Sequence, residues 1–339
     1  MESFQRKTLI TRRSLKYTYY VSPSSESTKQ HPTLFFIHGF PDSAHLWAGV
    51  VTMLGTMPNQ IIIPDCLGYA GSDKPEDTNL YAYKDQADDL VNILENESTK
   101  FTVIIGHDWG SALAQRTYLH HRELFSGVIL LNTAYMVPSD QPFDLRAVNE
   151  WTEKTMGFPQ FSYWEFFTAP DAPEIIDANL ERMWHALHGD VEGWMRKLFC
   201  VPNAMRDFLL GNEDIPLKTY SHNWEWKDRF MHQFKTDGFA SALQMYKATV
   251  SNIQFRSDST IPKEKLAIEV PVLFLVCTKD TVCAPEMMDQ AKTEGLVPHL
   301  KEMVLDCAHW SPMEKPDEIA THVRNFVMDV CPGNQASMY

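Results

Sequence analysis

Long apolar runs are missing from this 339-residue chain. Its longest, such as Leu34 to Ile37, Val128 to Leu131 and Val272 to Cys277, span four to six residues. A membrane helix needs about 18, so no span is expected. Basic residues are in deficit: 30 Lys and Arg against 44 Asp and Glu give a formal net charge of −14. That sign repels phosphate backbones and anionic lipid, which argues against nucleic acid as a partner. Cysteine is sparse too, and its six copies (66, 200, 277, 283, 307, 331) form no CxxC pair. Neither a disulfide frame nor a zinc site is expected, and reduced thiols in the cytoplasm suit the pattern better. The N-terminus has no apolar signal segment, and Ser337-Met338-Tyr339 is not a peroxisomal address.

What is present is a globular composition, 44% hydrophobic and 22% charged, long enough for about two domains. Short apolar runs recur at Leu34–Ile37, Ile61–Ile63, Val103–Ile105 and Val128–Leu131. Runs without alternation predict strands buried on both faces of a parallel sheet. Helical spacing lies between them, around Tyr83 to Leu94 and Gly110 to His120. Phe4 to Thr11 and Lys16 to Val21 predict an antiparallel hairpin. Alternating strands and helices imply a layered α/β fold. From Val137 to Asn252 the strand pattern stops, and six of the nine tryptophans fall there. Strands resume at Val272–Val276 and Met303–Leu305, before a last helix near Pro316 to Val327. The expected plan is an α/β core, residues 1–136 and 253–339, interrupted by a helical cap at 137–252.

The chemistry concentrates in Val103-Ile104-Ile105-Gly106-His107-Asp108-Trp109-Gly110-Ser111. A buried strand runs into Gly-x-Asp-x-Gly and then a helix, the shape of a nucleophile elbow with Asp in place of Ser. Small neighbours are needed because the central residue sits in a strained turn against strand and helix. His38-Gly39-Phe40-Pro41 follows a strand where an oxyanion-hole loop belongs, so the Phe40 and Trp109 N–H groups are the expected donors. Asp280 follows the strand at 272–276, and His309 follows the strand at 303–305. Asp108, Asp280 and His309 thus stand in the order nucleophile, acid, histidine. Asp306 ranks behind Asp280 as the acid. His107 is expected to orient or pack, and Asp65 to hold its own loop by hydrogen bonds.

With these residues the chain resembles the α/β-hydrolase-fold epoxide hydrolases over nearly its whole length. The resemblance rests on HGFPDSAHLW (38–47), DCLGYAGSDKP (65–75), GHDWGSALAQ (106–115), CTKD (277–280) and CAHWSPMEKP (307–316). In the cap, Phe161 to Phe167 and Gln244 to Lys247 look like the segments that carry the family's two tyrosines, here Tyr163 and Tyr246. Leu67 and Ala70 depart from the family's usual Arg and Gly, which alters a supporting contact in that loop. The N-terminal phosphatase domain or membrane anchor of some members is not expected here. The resemblance implies an α/β-hydrolase fold, no cofactor and no metal.

Asp at the elbow changes the expected reaction. A carboxylate is ionised at neutral pH and attacks a saturated carbon directly, giving an alkyl ester. His309, oriented by Asp280, then activates the water that hydrolyses it. An epoxide oxygen leaves as an alkoxide and needs a proton, which two cap tyrosines supply. The expected substrates are a small apolar epoxide, natural-product epoxides included, and water, with the protein a monomer or homodimer. One alternative is a dehalogenase with the same triad, for which the Trp109 indole N–H could face the halide. Another is a ligand-binding member of the fold without turnover.

Overall fold

The computed structural model describes residues 3–23, 28–55 and 57–330; Cys331 and the C-terminal tripeptide lie outside them. Eight strands form one sheet in the order β1-β2-β4-β3-β5-β6-β7-β8. They are β1 (Gln5–Ile10), β2 (Lys16–Val21), β3 (Thr33–Ile37), β4 (Ile61–Pro64), β5 (Thr102–His107), β6 (Phe125–Leu131), β7 (Val272–Cys277) and β8 (Leu300–Leu305). β1 and β2 pair antiparallel, as the hairpin pattern predicts, and β2 joins β4 antiparallel. Every later pairing is parallel. β3, β4, β5 and β7 are buried at every position, because helices cover both faces of the sheet. The two edges differ from the centre: β1 (QRKTLI) and β8 (LKEMVL) carry charged side chains, which discourages further strand pairing.

Around the sheet lie α1 (Ala48–Leu54), α2 (Tyr83–Asn96) and α3 (Trp109–His120). Between β6 and β7 the chain makes helices and one isolated bridge, Gly189 with Leu217. These helices are α4 (Leu145–Met156), α5 (Tyr163–Phe167), α6 (Ala172–Ala178), α7 (Leu180–His188), α8 (Trp194–Phe199), α9 (Ala204–Leu210), α10 (Trp224–Asp237), α11 (Gln244–Val250) and α12 (Ile253–Asp258). After β7 come α13 (Asp289–Thr293), α14 (Ser311–Glu314) and α15 (Pro316–Val330), the last packed on α1. No helix among the described residues is long and apolar enough to cross a membrane.

The helices between β6 and β7 are tied to the rest of the chain at defined points. Arg116 on α3 grips Asp258 on α12 through two contacts, Nε to Oδ1 at 2.9 Å and Nη2 to Oδ2 at 2.6 Å, with both residues buried. The planar guanidinium matches the carboxylate, so neither charge is left unpaired. The loop after β4 holds the start of α11. Tyr69 donates its hydroxyl proton to the Ala242 carbonyl at 3.0 Å, and Ser241 donates to the Gly68 carbonyl at 3.0 Å. Thr78 adds a bond to Gln244 at 2.6 Å. In the loop where Leu67 and Ala70 depart from the family pattern, backbone groups and Tyr69 make these contacts. Asp65 holds the loop itself, accepting from the Ala44 N–H at 2.9 Å and the Gly71 N–H at 3.1 Å.

Candidate active site

The parallel strands end at one edge of the sheet, and the C-terminal loops of β3, β5, β6, β7 and β8 meet there. Asp108 stands between β5 and α3 with φ 55° and ψ −127°. For a residue with a Cβ this backbone costs about 1–3 kcal/mol, so the surroundings must enforce it. They do so by close packing. A Cβ at Gly106 would lie 2.5 Å from Ser111 Cα, and one at Gly110 would lie 2.6 Å from the His38 carbonyl oxygen. The Ser111 hydroxyl donates to the Gly106 carbonyl at 2.7 Å and locks the turn. Strand, turn and helix are thus wedged together around Asp108.

The Asp108 carboxylate faces two partners. Its Oδ1 accepts the Phe40 N–H at 2.7 Å, and its Oδ2 lies 3.4 Å from His309 Nε2. Phe40 is held by the β3 loop, where the Phe40–Pro41 peptide bond is cis. Trp109 opens α3, so its N–H is one of those a helix start leaves without an intrahelical acceptor. His309 Nδ1 lies 2.7 Å from Asp280 Oδ2, which accepts only, so Nδ1 carries a proton. His107 Nε2 donates to the His309 carbonyl at 2.7 Å, which fixes the backbone of that residue. Asp306 is on the surface with Lys279, 2.9 Å away, and takes no part.

Asp280 is fully buried yet well satisfied. Its Oδ1 accepts the Val282 and Cys283 N–H groups, each at 3.1 Å, and its Oδ2 accepts Asn132 Nδ2 at 2.7 Å. Burial pushes its pKa up, but the His309 charge and these hydrogen bonds win, and the carboxyl sits below its ordinary value. For His309 burial opposes the charged form. Asp280, and the hydrogen bonds to Asp108, Asp280 and Cys283, outweigh that and hold its pKa well above the ordinary value. The Asp108 carboxylate is thus one of the groups that hold a proton on His309.

Tyr163 begins α5 and Tyr246 lies within α11, both buried. Their ring centres are 5.9 Å apart. Tyr246 packs edge-on against Phe40 and Trp109, each at 5.2 Å. Burial raises both phenols well above their ordinary pKa, and the Asp108 charge adds to it. Each keeps its proton and is a hydrogen-bond donor. The structure thus brings Asp108, Asp280, His309, Phe40, Trp109, Tyr163 and Tyr246 to one place.

Two residues at the site escape the motif reading. Asn132 follows β6 at φ 65°; it donates to Asp280 and accepts the Ser311 hydroxyl proton at 2.7 Å. No spacing links it to Asp280, 148 residues away. Asp42 is the second, although it lies inside the HGFPD stretch. Its Oδ2 is shut off from solvent without a hydrogen-bond partner. Burial and the Asp108 charge push its pKa up to about 7, against smaller opposing effects from His309 and Trp310.

A raised carboxyl pKa stabilises the fold below the unfolded value and loses that contribution as pH climbs through the folded one. Asp42→Asn removes the titration. The stability of the variant relative to the parent is expected to rise between pH 4 and pH 8, by up to about 4 kcal/mol. Urea unfolding across that range measures it. A difference that stays flat with pH would contradict the assignment.

Residues 32–316 match the family described as alpha/beta hydrolase fold. The chain is 27% identical over 290 residues to a bifunctional epoxide hydrolase 2 of Rattus norvegicus, covering 85% of this chain and 50% of that protein. It is 26% identical over 310 residues to epoxide hydrolase A of Mycobacterium tuberculosis, covering 87% and 90%. The chain thus spans about half the length of the rat relative and nearly all of the mycobacterial one. Among solved structures, epoxide hydrolase A of Mycobacterium thermoresistibile superposes with TM-score 0.75 at 24% identity, over 95% of this chain and 98% of that one. An epoxide hydrolase of Vigna radiata gives TM-score 0.77 at 19% identity, over 97% and 99%.

Proposed function

The chain belongs to the α/β-hydrolase fold family, and on that premise we propose that it hydrolyses epoxides to vicinal diols through an ester at Asp108. The observation that carries the proposal is the pair of buried phenols, Tyr163 and Tyr246, whose rings lie 5.9 Å apart beside the Asp108 nucleophile. Relatives named epoxide hydrolase support the same reading. In this account residues 137–252 form a cap over a core of 1–136 and 253–339. The buried rings Phe40, Phe167 and Trp109 suit an apolar substrate. The five described cysteines are free thiols, in keeping with a cytoplasmic setting.

The ring oxygen accepts hydrogen bonds from Tyr163 and Tyr246, which draws electron density from the ring carbons. The Asp108 carboxylate attacks one carbon, the C–O bond breaks, and a tyrosine gives its proton to the alkoxide. The ester has no charge at Asp108, so His309 loses one of the groups holding its proton; that proton goes to the phenolate, which restores the tyrosine and leaves His309 a base. It deprotonates a water, which attacks the Asp108 carbonyl carbon. The oxyanion is met by the Phe40 N–H, with the Trp109 N–H beside it; one such donor is worth about 3 kcal/mol. Collapse breaks the C–O bond to the alkyl group, the departing alkoxide takes the proton of the added hydroxyl to complete the diol, and Asp108 is left as a carboxylate beside protonated His309. Throughout, Asp280 holds the imidazole in place.

Tyr163→Phe and Tyr246→Phe are each expected to slow ester formation by about 10²-fold, and together by 10³-fold or more. Ester hydrolysis should change little. Pre-steady-state turnover of an epoxide panel tests this, and full activity in the double variant would refute the leaving-group argument. One observation favours a second reading. The Trp109 indole N–H is buried without a partner and is a fit donor for a halide. Halide release from haloalkanes, with no diol from any epoxide, would establish that dehalogenase reading instead.

A further inference from the structure

Cys283 has no part in the chemistry above, yet its thiol lies in the same cluster. Ligand atoms of Cys283, Asp108 and His309 all lie within 4.8 Å of one another, and all three residues are part of the buried site. The thiol is buried beside Thr133, with Sγ 3.4 Å from that hydroxyl. We propose that Asp108, Cys283 and His309 form a binding site for a thiophilic divalent cation of the zinc and cadmium class, and that its occupation shuts the enzyme off.

The geometry is close to what such an ion needs. Zinc holds sulfur at about 2.3 Å and nitrogen or oxygen at about 2.0–2.2 Å, so tetrahedral N and O ligands stand about 3.4 Å apart. His309 Nε2 and Asp108 Oδ2 are already 3.4 Å apart. The sulfur must close from at most 4.8 Å to about 3.5 Å. The imidazole is already oriented as metal sites orient theirs, with Nδ1–H on the Asp280 carboxylate at 2.7 Å. Three protein ligands leave a fourth position for water.

Charge also favours a soft cation. Binding displaces the Cys283 thiol proton and, where His309 enters charged, its Nε2 proton; both go to solvent. The ion, one thiolate, one carboxylate and a neutral imidazole then sum to zero. Burial pushes the free thiol up to about 12, so the thiolate forms only with the metal on it. Magnesium and calcium, which demand oxygen ligands, gain nothing from the sulfur. With the ion bound, Asp108 cannot attack and His309 cannot take a proton. Spacing along the chain conceals the site, because its ligands follow β5, β7 and β8.

The test uses the full chain without substrate. Cd²⁺ is titrated while the ultraviolet cadmium–thiolate charge-transfer band is followed, and calorimetry in two buffers counts released protons. One ion per chain, with the band and proton release, is expected. Cys283→Ser should abolish the band and weaken binding at least tenfold. His309→Gln should weaken binding by about tenfold or more and keep the band, which serves should the first variant fail to fold. Cys307→Ser controls for the neighbouring Cys277 and Cys307 thiols, whose sulfurs are 3.5 Å apart. Zn²⁺ should compete with Cd²⁺, and Mg²⁺ should not. A band that survives in Cys283→Ser, or is lost in Cys307→Ser, would overturn the proposal, as would a parent protein that shows no band.

Discussion

Asp108→Ala is expected to lower epoxide turnover by at least about 10⁴-fold and to leave no covalent adduct. Every later step operates on the Asp108 ester, so a chain without the carboxylate has no intermediate for His309 to hydrolyse. The variant keeps a Cβ, so the strained backbone at φ 55° is retained and the elbow is not relaxed. A loss of activity with an intact thermal transition would therefore report chemistry and not folding. A second consequence concerns His309, since a hydrogen bond to Asp108 helps to raise its pKa. In the variant the imidazole should release its proton at a lower pH than in the parent. NMR titration of that ring measures the shift; an unchanged value would mean Asp108 has no hold on the base.

His309→Gln should separate the two half-reactions. Ester formation needs Asp108 and the tyrosines, and only ester hydrolysis needs the base. Epoxide is expected to react once per chain and stop, with steady-state turnover down by about 10³-fold or more. The mass of the protein should rise by that of the whole epoxide, because ring opening expels nothing. A haloalkane would add its mass less that of the hydrogen halide, so one spectrum distinguishes the two substrate classes. Steady turnover without adduct in this variant would place water activation elsewhere.

The central strands were legible because burial on both faces demands unbroken apolar runs, as in Thr33–Ile37 and Val272–Cys277. The elbow was legible because close packing admits only small residues, leaving a short motif at 106–110. Asp280 and His309 could be placed because each follows its own strand directly. Asn132 also follows a strand directly, but an Asn there carries no chemical signature until Asp280 is seen 2.7 Å away. Asp42 was hidden differently. It sits in a motif, yet its altered acidity comes from burial and from the Asp108 charge, which only the fold supplies. Cys283 shows the same limit: its thiol joins Asp108 and His309 across loops that no spacing rule connects.

The covalent ester at Asp108 is the claim on which the rest depends, and oxygen labelling in a single turnover tests it most directly. Excess protein in H₂¹⁸O is mixed with a limiting epoxide, and the diol and the Asp108 peptide are weighed. The ester route predicts diol with unlabelled oxygen and one ¹⁸O in the Asp108 carboxylate. Diol labelled on the first turnover, with Asp108 unlabelled, would mean that water attacks the epoxide directly.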